Sequence, residues 1–229
     1  MKIITNEKLI NRNKKIGTIT SVVGIAVLVA GLVLNISPTP TKTLISFGAL
    51  IVGFIISQFS TYFITRFGRS PRYDEIIAEN LSKLNNDYTY YVYSSPVPIL
   101  LVGPSHLWIP IPLSASGEIY FDKKWKQHGG SFLLKLFGQE KIGRPGQDVE
   151  GNEKLLRDFL SKHFDENEIP PIRSILISLH PKATIGNVEN APTPIVHLDA
   201  LRRKIRKIDR DAEEEIPQET QDKINALLS

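Results

Sequence analysis

Two apolar segments near the start of the chain dominate its pattern of hydrophobic and polar positions. Residues 17–36 and 43–65 contain no Asp, Glu, Lys, Arg or His. An α-helix rises about 1.5 Å per residue, so each segment is long enough to cross the hydrocarbon layer of a bilayer. A helix of a soluble core normally keeps one polar face, whereas these segments are apolar on every face. The pattern predicts two transmembrane helices, 17–36 and 43–65, joined by a turn over residues 37–42.

The charges that flank these segments predict their orientation. Residues 1–72 carry nine Lys and Arg but a single acid, Glu7, and the turn holds only Lys42. Lys and Arg beside a membrane span favour the cytoplasmic side. We expect a multi-pass protein of the plasma membrane, with the lipid bilayer as its partner, an external turn, a basic cytoplasmic tail over residues 1–16 and both termini in the cytoplasm.

The absence of ionisable residues within the two segments bears on function, because ion and proton pathways normally need them. The segments are therefore predicted to serve as an anchor. Small residues at four-residue spacing, Ala26 and Ala30 in the first and Ala49 and Gly53 in the second, favour close helix packing. The close packing is compatible with a hairpin or a homo-oligomer.

Beyond the anchor, the periodicity changes repeatedly between that of helices and that of strands. Helices are predicted over 72–84, 148–164, 198–215 and 219–228, and strands over 88–94, 97–102, 107–113, 117–122, 172–179 and 195–198. Residues 70–229 are thus predicted to form one cytoplasmic α/β domain, with a mixed sheet and flanking helices. Residues 73–229 hold 19 Lys and Arg against 23 acids, so the basic pI of about 9.2 arises beside the membrane and does not argue for nucleic acid binding.

Short motifs in this order resemble the nuclease-related domain (NERD) family, which has a restriction-endonuclease-like PD-(D/E)xK fold. The helix at 74–81 is similar to the first helix of the family, and the segments 102–104 and 107–109 are similar to its Gly-Pro turn and the strand that follows. Residues 117–119 resemble its hairpin, Lys124–Trp125 its tryptophan, and 144–147 its helix entry. The resemblance implies a nuclease fold for residues 70–228.

The residues that the resemblance would make catalytic are absent. Counting back from Gly117, the family's E and K fall at Ile111 and Leu113, and its metal-binding Asp falls within 98–100, where no acid occurs. Two acids are needed to hold Mg²⁺, and a Lys to stabilise the attacked phosphate. The resemblance therefore implies a degenerate nuclease domain without catalytic residues and without a cofactor.

Two weaker sets of site residues remain as candidates. Asp74, Glu118 and Asp122 would be the acids of a rearranged metal site. Cations on the predicted penultimate helix could meet phosphates of lipid or nucleic acid: Arg202, Arg203, Lys204, Arg206, Lys207 and Arg210. The acids Asp209 and Asp211 and the run 213–215 are interpreted as a solvated face, and Trp125 as filling the edge of the core.

The sequence therefore predicts a membrane-anchored binding or scaffolding module with a protein partner or a second copy of itself. The alternatives are a metal-dependent nuclease with a rearranged acidic site, and a module that binds lipid or nucleic acid through the basic helix.

Overall fold

The computed structural model describes residues 1–131 and 140–228, and the chain divides into two compact units. The hairpin unit comprises Asn6–Arg72. The α/β unit comprises Met1–Thr5 together with the chain from Tyr73 onward. The apolar sequence 132–137 lies outside the described residues.

The hairpin unit contains the two predicted apolar helices. Helix α1 spans Glu7–Leu34 and helix α2 spans Pro40–Phe63, followed by a short π-helix over Ile64–Gly68. Both α-helices are long and apolar enough to cross a membrane by length and composition.

Both helices begin earlier than the apolar pattern indicated. The side chain of Asn6 caps α1 by accepting a hydrogen bond from the Leu9 N–H at 3.0 Å, so residues 7–16 are helical. The predicted tail over residues 1–16 therefore includes the first turns of α1. Pro40, which was expected in the turn, is the first residue of α2, because that position needs no N–H donor.

Small residues spaced seven apart form the contact between α1 and α2. Gly17, Gly24 and Gly31 are the buried residues in the apolar part of α1, and the buried residues of α2 are Ser46, Gly53 and Ser60. The Oγ of Ser46 donates to the Gly31 carbonyl at 2.7 Å, and the Oγ of Ser60 donates to the Gly17 carbonyl at 2.9 Å. Backbones approach closely at small residues, and interhelical hydrogen bonds then fix the pairing.

The predicted packing residues of α2 lie at the helix contact, whereas those of α1 do not. Gly53 is buried there, and a Cβ on it would lie 2.7 Å from the Leu28 side chain, while the Ala49 Cβ lies 3.1 Å from the place of a Cβ on Gly31. Ala26 and Ala30 are exposed in the hairpin, so they do not form its helix contact. The period of the contact is seven residues, which keeps one stripe of each helix facing the other.

The α/β unit is built on a six-stranded sheet and a smaller three-stranded sheet. The larger has the order β1-β2-β3-β4-β7-β9 and the smaller β6-β5-β8. In chain order the strands are β1 (Lys2–Thr5), β2 (Thr89–Val92), β3 (Ile99–Val102), β4 (Leu107–Leu113), β5 (Gly117–Asp122), β6 (Lys124–His128), β7 (Ile172–Ser178), β8 (Ala183–Ile185) and β9 (Ile195–His197). The α/β arrangement and six strands predicted from the sequence are present.

Pairing in the larger sheet is mixed. Strands β2, β3 and β4 form an antiparallel meander, and β7 then lies parallel to β4, with β9 parallel to β7. The helices are α3 (Tyr73–Leu81), α4 (Pro145–Leu160), α5 (Leu198–Arg210) and α6 (Gln218–Leu227), with a 3₁₀ turn at Glu166–Glu168.

The sequence pattern did not predict strand β1, and this omission changes the fold most. It pairs in parallel with β2, from Lys2 opposite Thr89 to Thr5 opposite Val92. The first five residues therefore complete the sheet of a domain whose other elements all follow the hairpin. Four residues are too few for an alternating pattern to stand out from the basic segment around them.

Alternation along β4 separates the two faces of the larger sheet. Leu107, Ile109, Ile111 and Leu113 belong to the main apolar core, together with Leu156 and Leu160 of α4. Trp108 lies between them in sequence and faces the opposite side, where its indole contacts α5. The candidate site described below lies on this α5 side.

A change at Gly17 tests the small-residue seam. A Cβ there would lie 2.8 Å from Phe63 Cβ and 3.2 Å from the Ile64 backbone nitrogen, neither of which can move aside easily. We expect Gly17→Leu to destabilise the hairpin by about 2 kcal/mol through overpacking. Thermal unfolding of the full chain in a mild detergent, followed by circular dichroism, measures the loss.

Gly48→Leu is the matched control, since a Cβ at Gly48 would meet no atom within 4 Å. It should leave stability unchanged or raise it by up to about 1 kcal/mol, because Leu favours a helix more than Gly does. Equal destabilisation by both variants would contradict the seam.

Candidate functional site

The carboxylate of Asp209 lies at the centre of a buried polar cluster. It accepts hydrogen bonds from Tyr88 Oη at 2.8 Å and from Trp108 Nε1 at 3.0 Å, and His106 Nδ1 lies 2.7 Å from its Oδ1. Ser105 Oγ also donates to the Asp209 backbone carbonyl at 3.1 Å. Tyr88 directly precedes β2, Ser105 and His106 directly precede β4, and Trp108 belongs to β4. The cluster therefore joins the sheet to the last turn of α5.

The sequence of α5 accounts for the burial of Asp209. Leu201, Ile205 and Asp209 follow one another at four-residue intervals, and these three are the buried residues of the helix. An acid near a helix C-terminus is disfavoured by the helix dipole. The donors from Tyr88, His106 and Trp108 offset both that cost and the loss of hydration. The interpretation of Asp209 as part of a solvated acidic face is therefore wrong.

The turn between β3 and β4 leaves room for this cluster because Gly103 has no side chain. A Cβ at Gly103 would lie 2.9 Å from Asp209 Oδ2 and 2.9 Å from Tyr88 Cε1. The Gly103 N–H donates to the His106 carbonyl at 3.0 Å and closes the turn. The turn thus brings His106 back against Asp209.

Tyr88 remains a neutral donor within the cluster. Burial raises the pKa of the Tyr88 hydroxyl well above its usual value, and the negative charge of Asp209 and the hydrogen bond to it raise the pKa further. Because a raised folded pKa protects the protonated form, the Tyr88–Asp209 hydrogen bond persists throughout the neutral range.

The imidazole of His106 connects the buried cluster to an open groove. An ionised carboxylate can only accept, so the proton on the Nδ1 side points to Asp209. Nε2 makes no hydrogen bond within residues 1–131 and 140–228 and is not fully enclosed by protein atoms. His106 lines a groove of about 530 Å³, so Nε2 is the ring atom available to a ligand there.

The groove has cations from two elements and acids from the segment after α5. Arg173 comes from β7, and Lys204 and Lys207 come from α5. The acids are Asp211, Glu213 and Glu214. A second groove of about 710 Å³ adjoins it and shares Ser105, Pro171 and Glu214. Its lining mixes apolar and polar side chains and includes the further acids Glu215 and Glu219.

The predicted cations do not form one surface. Of that set, Lys204 and Lys207 line the groove, whereas Arg202, Arg203, Arg206 and Arg210 do not. Arg202 is half-buried, and the others are exposed. Arg173, which is not among the predicted phosphate-binding cations, lines the groove with the two lysines. Six cations in nine helical residues must point in several directions, so only part of the run can face one ligand.

The three candidate metal ligands lie on separate features of the α/β unit. Asp74 is buried on α3, whereas Glu118 and Asp122 are on β5 in the smaller sheet. Four residues along a strand separate the latter two by about 13 Å, and Asp122 is bound by Lys126 at 2.5 Å. The described residues contain no group of three His, Asp or Glu side chains that could hold a metal ion.

The positions at which the resemblance predicted catalytic residues lie in the apolar core. Leu100, Ile111 and Leu113 are all buried there. Trp125 is also part of this core and packs against Phe121 with 5.3 Å between ring centroids, which confirms its predicted place at the edge.

Comparisons with known proteins identify no relative: the chain matches no family model, no curated protein and no solved structure.

Replacing Asp209 tests the buried cluster. Asp209→Asn places an amide N–H₂ against the donors of Tyr88 and Trp108, so at least one buried donor loses its acceptor. We expect the free energy of unfolding to fall by about 3 kcal/mol. Chemical denaturation of the full chain, monitored by tryptophan fluorescence, measures this change.

Asp211→Asn serves as the matched control. Asp211 is exposed, and its Oδ1 lies 3.4 Å from Nε of the neighbouring Arg210. A surface change of this kind is expected to alter stability by no more than about 0.5 kcal/mol. If the two variants were equally stable, the cluster would not hold α5 on the sheet.

Proposed function

We propose that this chain is a hairpin-anchored membrane protein whose α/β unit is a non-catalytic binding or scaffolding module on the cytoplasmic face. The proposal includes descent of that unit from a NERD-like nuclease domain. The observation that carries the anchored topology is the pairing of β1 with β2, because these strands lie on opposite sides of the hairpin in the sequence.

The surface of the hairpin supports membrane insertion. In each helix only 17% of the most apolar window is buried, whereas the core helix of a soluble protein would be mostly buried. Large apolar side chains are exposed along both helices, for example Val22 and Leu32 on α1 and Phe47 and Ile55 on α2. Exposed apolar surfaces of this extent are characteristic of contact with lipid or protein.

The connectivity supports an orientation in which the hairpin crosses the bilayer twice. A chain that leaves the α/β unit after β1 and returns to it at α3 must make an even number of crossings. The Lys and Arg residues that flank the hairpin, including Lys14, Lys15 and Arg66, favour the cytoplasmic side for that unit. The proposal therefore places Ser37 and its neighbours in the turn outside the cell.

The order of elements supports the relation to a nuclease domain. Helix α3, the meander β2–β4, helix α4 and the parallel strand β7 follow one another in the order expected from the resemblance. The apolar residues at 100, 111 and 113 cannot bind a hard cation or stabilise a phosphate charge. They support a module that binds without hydrolysis.

Single-cysteine labelling tests the orientation, and the chain is suited to it because it contains no cysteine. Ser37→Cys places a thiol in the turn, and Glu153→Cys places one at a half-buried position of α4. In intact bacterial cells, a membrane-impermeant maleimide should label Ser37→Cys. It should label Glu153→Cys only after the cells are permeabilised.

The cysteine-free parent provides the background for both variants. Labelling of Glu153→Cys in intact cells would contradict the cytoplasmic placement. Release of the full chain from membranes by alkaline carbonate would contradict insertion of the hairpin.

A nuclease assay separates binding from catalysis. The full chain in detergent is mixed with labelled DNA or RNA and with Mg²⁺ or Mn²⁺, and we expect no cleavage above that of the buffer. A rearranged site built from Asp74, Glu118 and Asp122 would instead give metal-dependent cleavage that Asp122→Ala abolishes. That result would overturn the proposed non-catalytic role.

A further inference from the structure

The groove beside His106 has an arrangement of charge that suits a particular class of ligand. Arg173, Lys204 and Lys207 line it and make no ion pair with any described residue. Cations without an ion-pair partner on a concave surface can bind an anionic group of a ligand. The two lysines are three residues apart on α5 and therefore project from neighbouring positions on the helix.

A buried polar side chain supports the same region as a binding site. His106 is only 5% exposed, yet its Nε2 has no partner among the described residues while its Nδ1 is fixed by Asp209. The bond to Asp209 sets the orientation of the ring and leaves Nε2 facing the groove. Nε2 can accept a hydrogen bond from a P–OH group or, when it carries a proton, donate one to a phosphate oxygen.

Acids that line the same groove restrict the ligand further. Asp211 follows Lys207 by four residues, and Glu213 and Glu214 also line the groove. Glu214 also lines the adjoining groove, where Glu215 and Glu219 add to it. A nucleic acid strand would bring phosphates against these carboxylates, so the charges favour a compact ligand that carries a cation beside its phosphate.

We propose that this groove binds a zwitterionic phosphate ester, with the phosphate among Arg173, Lys204, Lys207 and His106 Nε2 and a primary ammonium group beside Asp211, Glu213 and Glu214. Phosphoethanolamine is the simplest compound of this class. Its source is either the headgroup of a phospholipid or a soluble phosphorylated amine. The inference rests on the proposed function, since it assigns a ligand class to the binding module.

Calorimetric titration of the full chain in dodecyl maltoside micelles tests the ligand class. The probes are O-phosphorylethanolamine, inorganic phosphate and ethanolamine. Because only the zwitterion meets both the cations and the acids of the groove, it should bind about tenfold more tightly than either of the other two. Equal binding of inorganic phosphate and O-phosphorylethanolamine would overturn the role of the acids.

A pair of charge-reversed variants tests the place of binding. Lys204→Glu with Lys207→Glu should weaken binding of O-phosphorylethanolamine by about tenfold or more. Arg202→Glu with Arg203→Glu changes the net charge equally on the same helix but lies outside the groove, so it should bind as the parent does. Equal loss in both double variants, or unchanged binding in both, would overturn the assignment. Circular dichroism melting shows that each variant is folded.

Added phosphatidylethanolamine distinguishes the two sources of the ligand. If the headgroup occupies the groove, the lipid lowers the apparent affinity for O-phosphorylethanolamine, and His106→Ala removes that competition. If the ligand is a soluble amine, the lipid has no effect while the zwitterion still binds. Absence of binding by every probe would overturn the inference but would leave the thiol-labelling result for the membrane anchor unaffected.

Discussion

The parallel pairing of β1 with β2 is the constraint on which the organisation of this chain depends. Lys2–Thr5 and Thr89–Val92 are adjacent in the sheet but lie on opposite sides of the entire hairpin in sequence. The sheet is therefore complete only after both long helices have been passed. A fragment that starts at Tyr73 lacks an edge strand and leaves β2 with unpaired backbone groups. The hairpin is an insertion within a domain, and this connectivity links its topology to the fold.

Helix α5 is the second element on which the organisation depends, because one face packs on the sheet and another lines the groove. Its buried face ends at Asp209, whose carboxylate accepts donors from Tyr88 and Trp108 and fixes His106. Its exposed face presents Lys204 and Lys207 to the groove. The buried contact thus determines how the helix is rotated on the sheet, and that rotation determines which cations reach the groove.

The hairpin achieves close packing with very little side-chain volume. Gly31 and Gly17 of α1 lie against Ser46 and Ser60 of α2, whose hydroxyls donate to the two glycine carbonyls across the interface. In an apolar environment the hydrophobic effect contributes little to helix association. Shape complementarity and hydrogen bonds consequently hold these helices together, while the larger side chains point outward.

The sequence by itself determined the long helices, most strands and the α/β class, since these follow from local periodicity and run length. It also determined that no acid occupies the apolar positions of β4. Only the tertiary structure revealed β1, because its pairing partner is more than eighty residues away. The same holds for Asp209 and His106, which are about one hundred residues apart and meet through the placement of α5 on the sheet. The four-residue spacing of Leu201, Ile205 and Asp209 indicates that Asp209 lies on the buried face, whereas its charge predicts exposure to solvent. The three side chains that surround it come from distant parts of the sequence, so the sequence did not resolve this conflict.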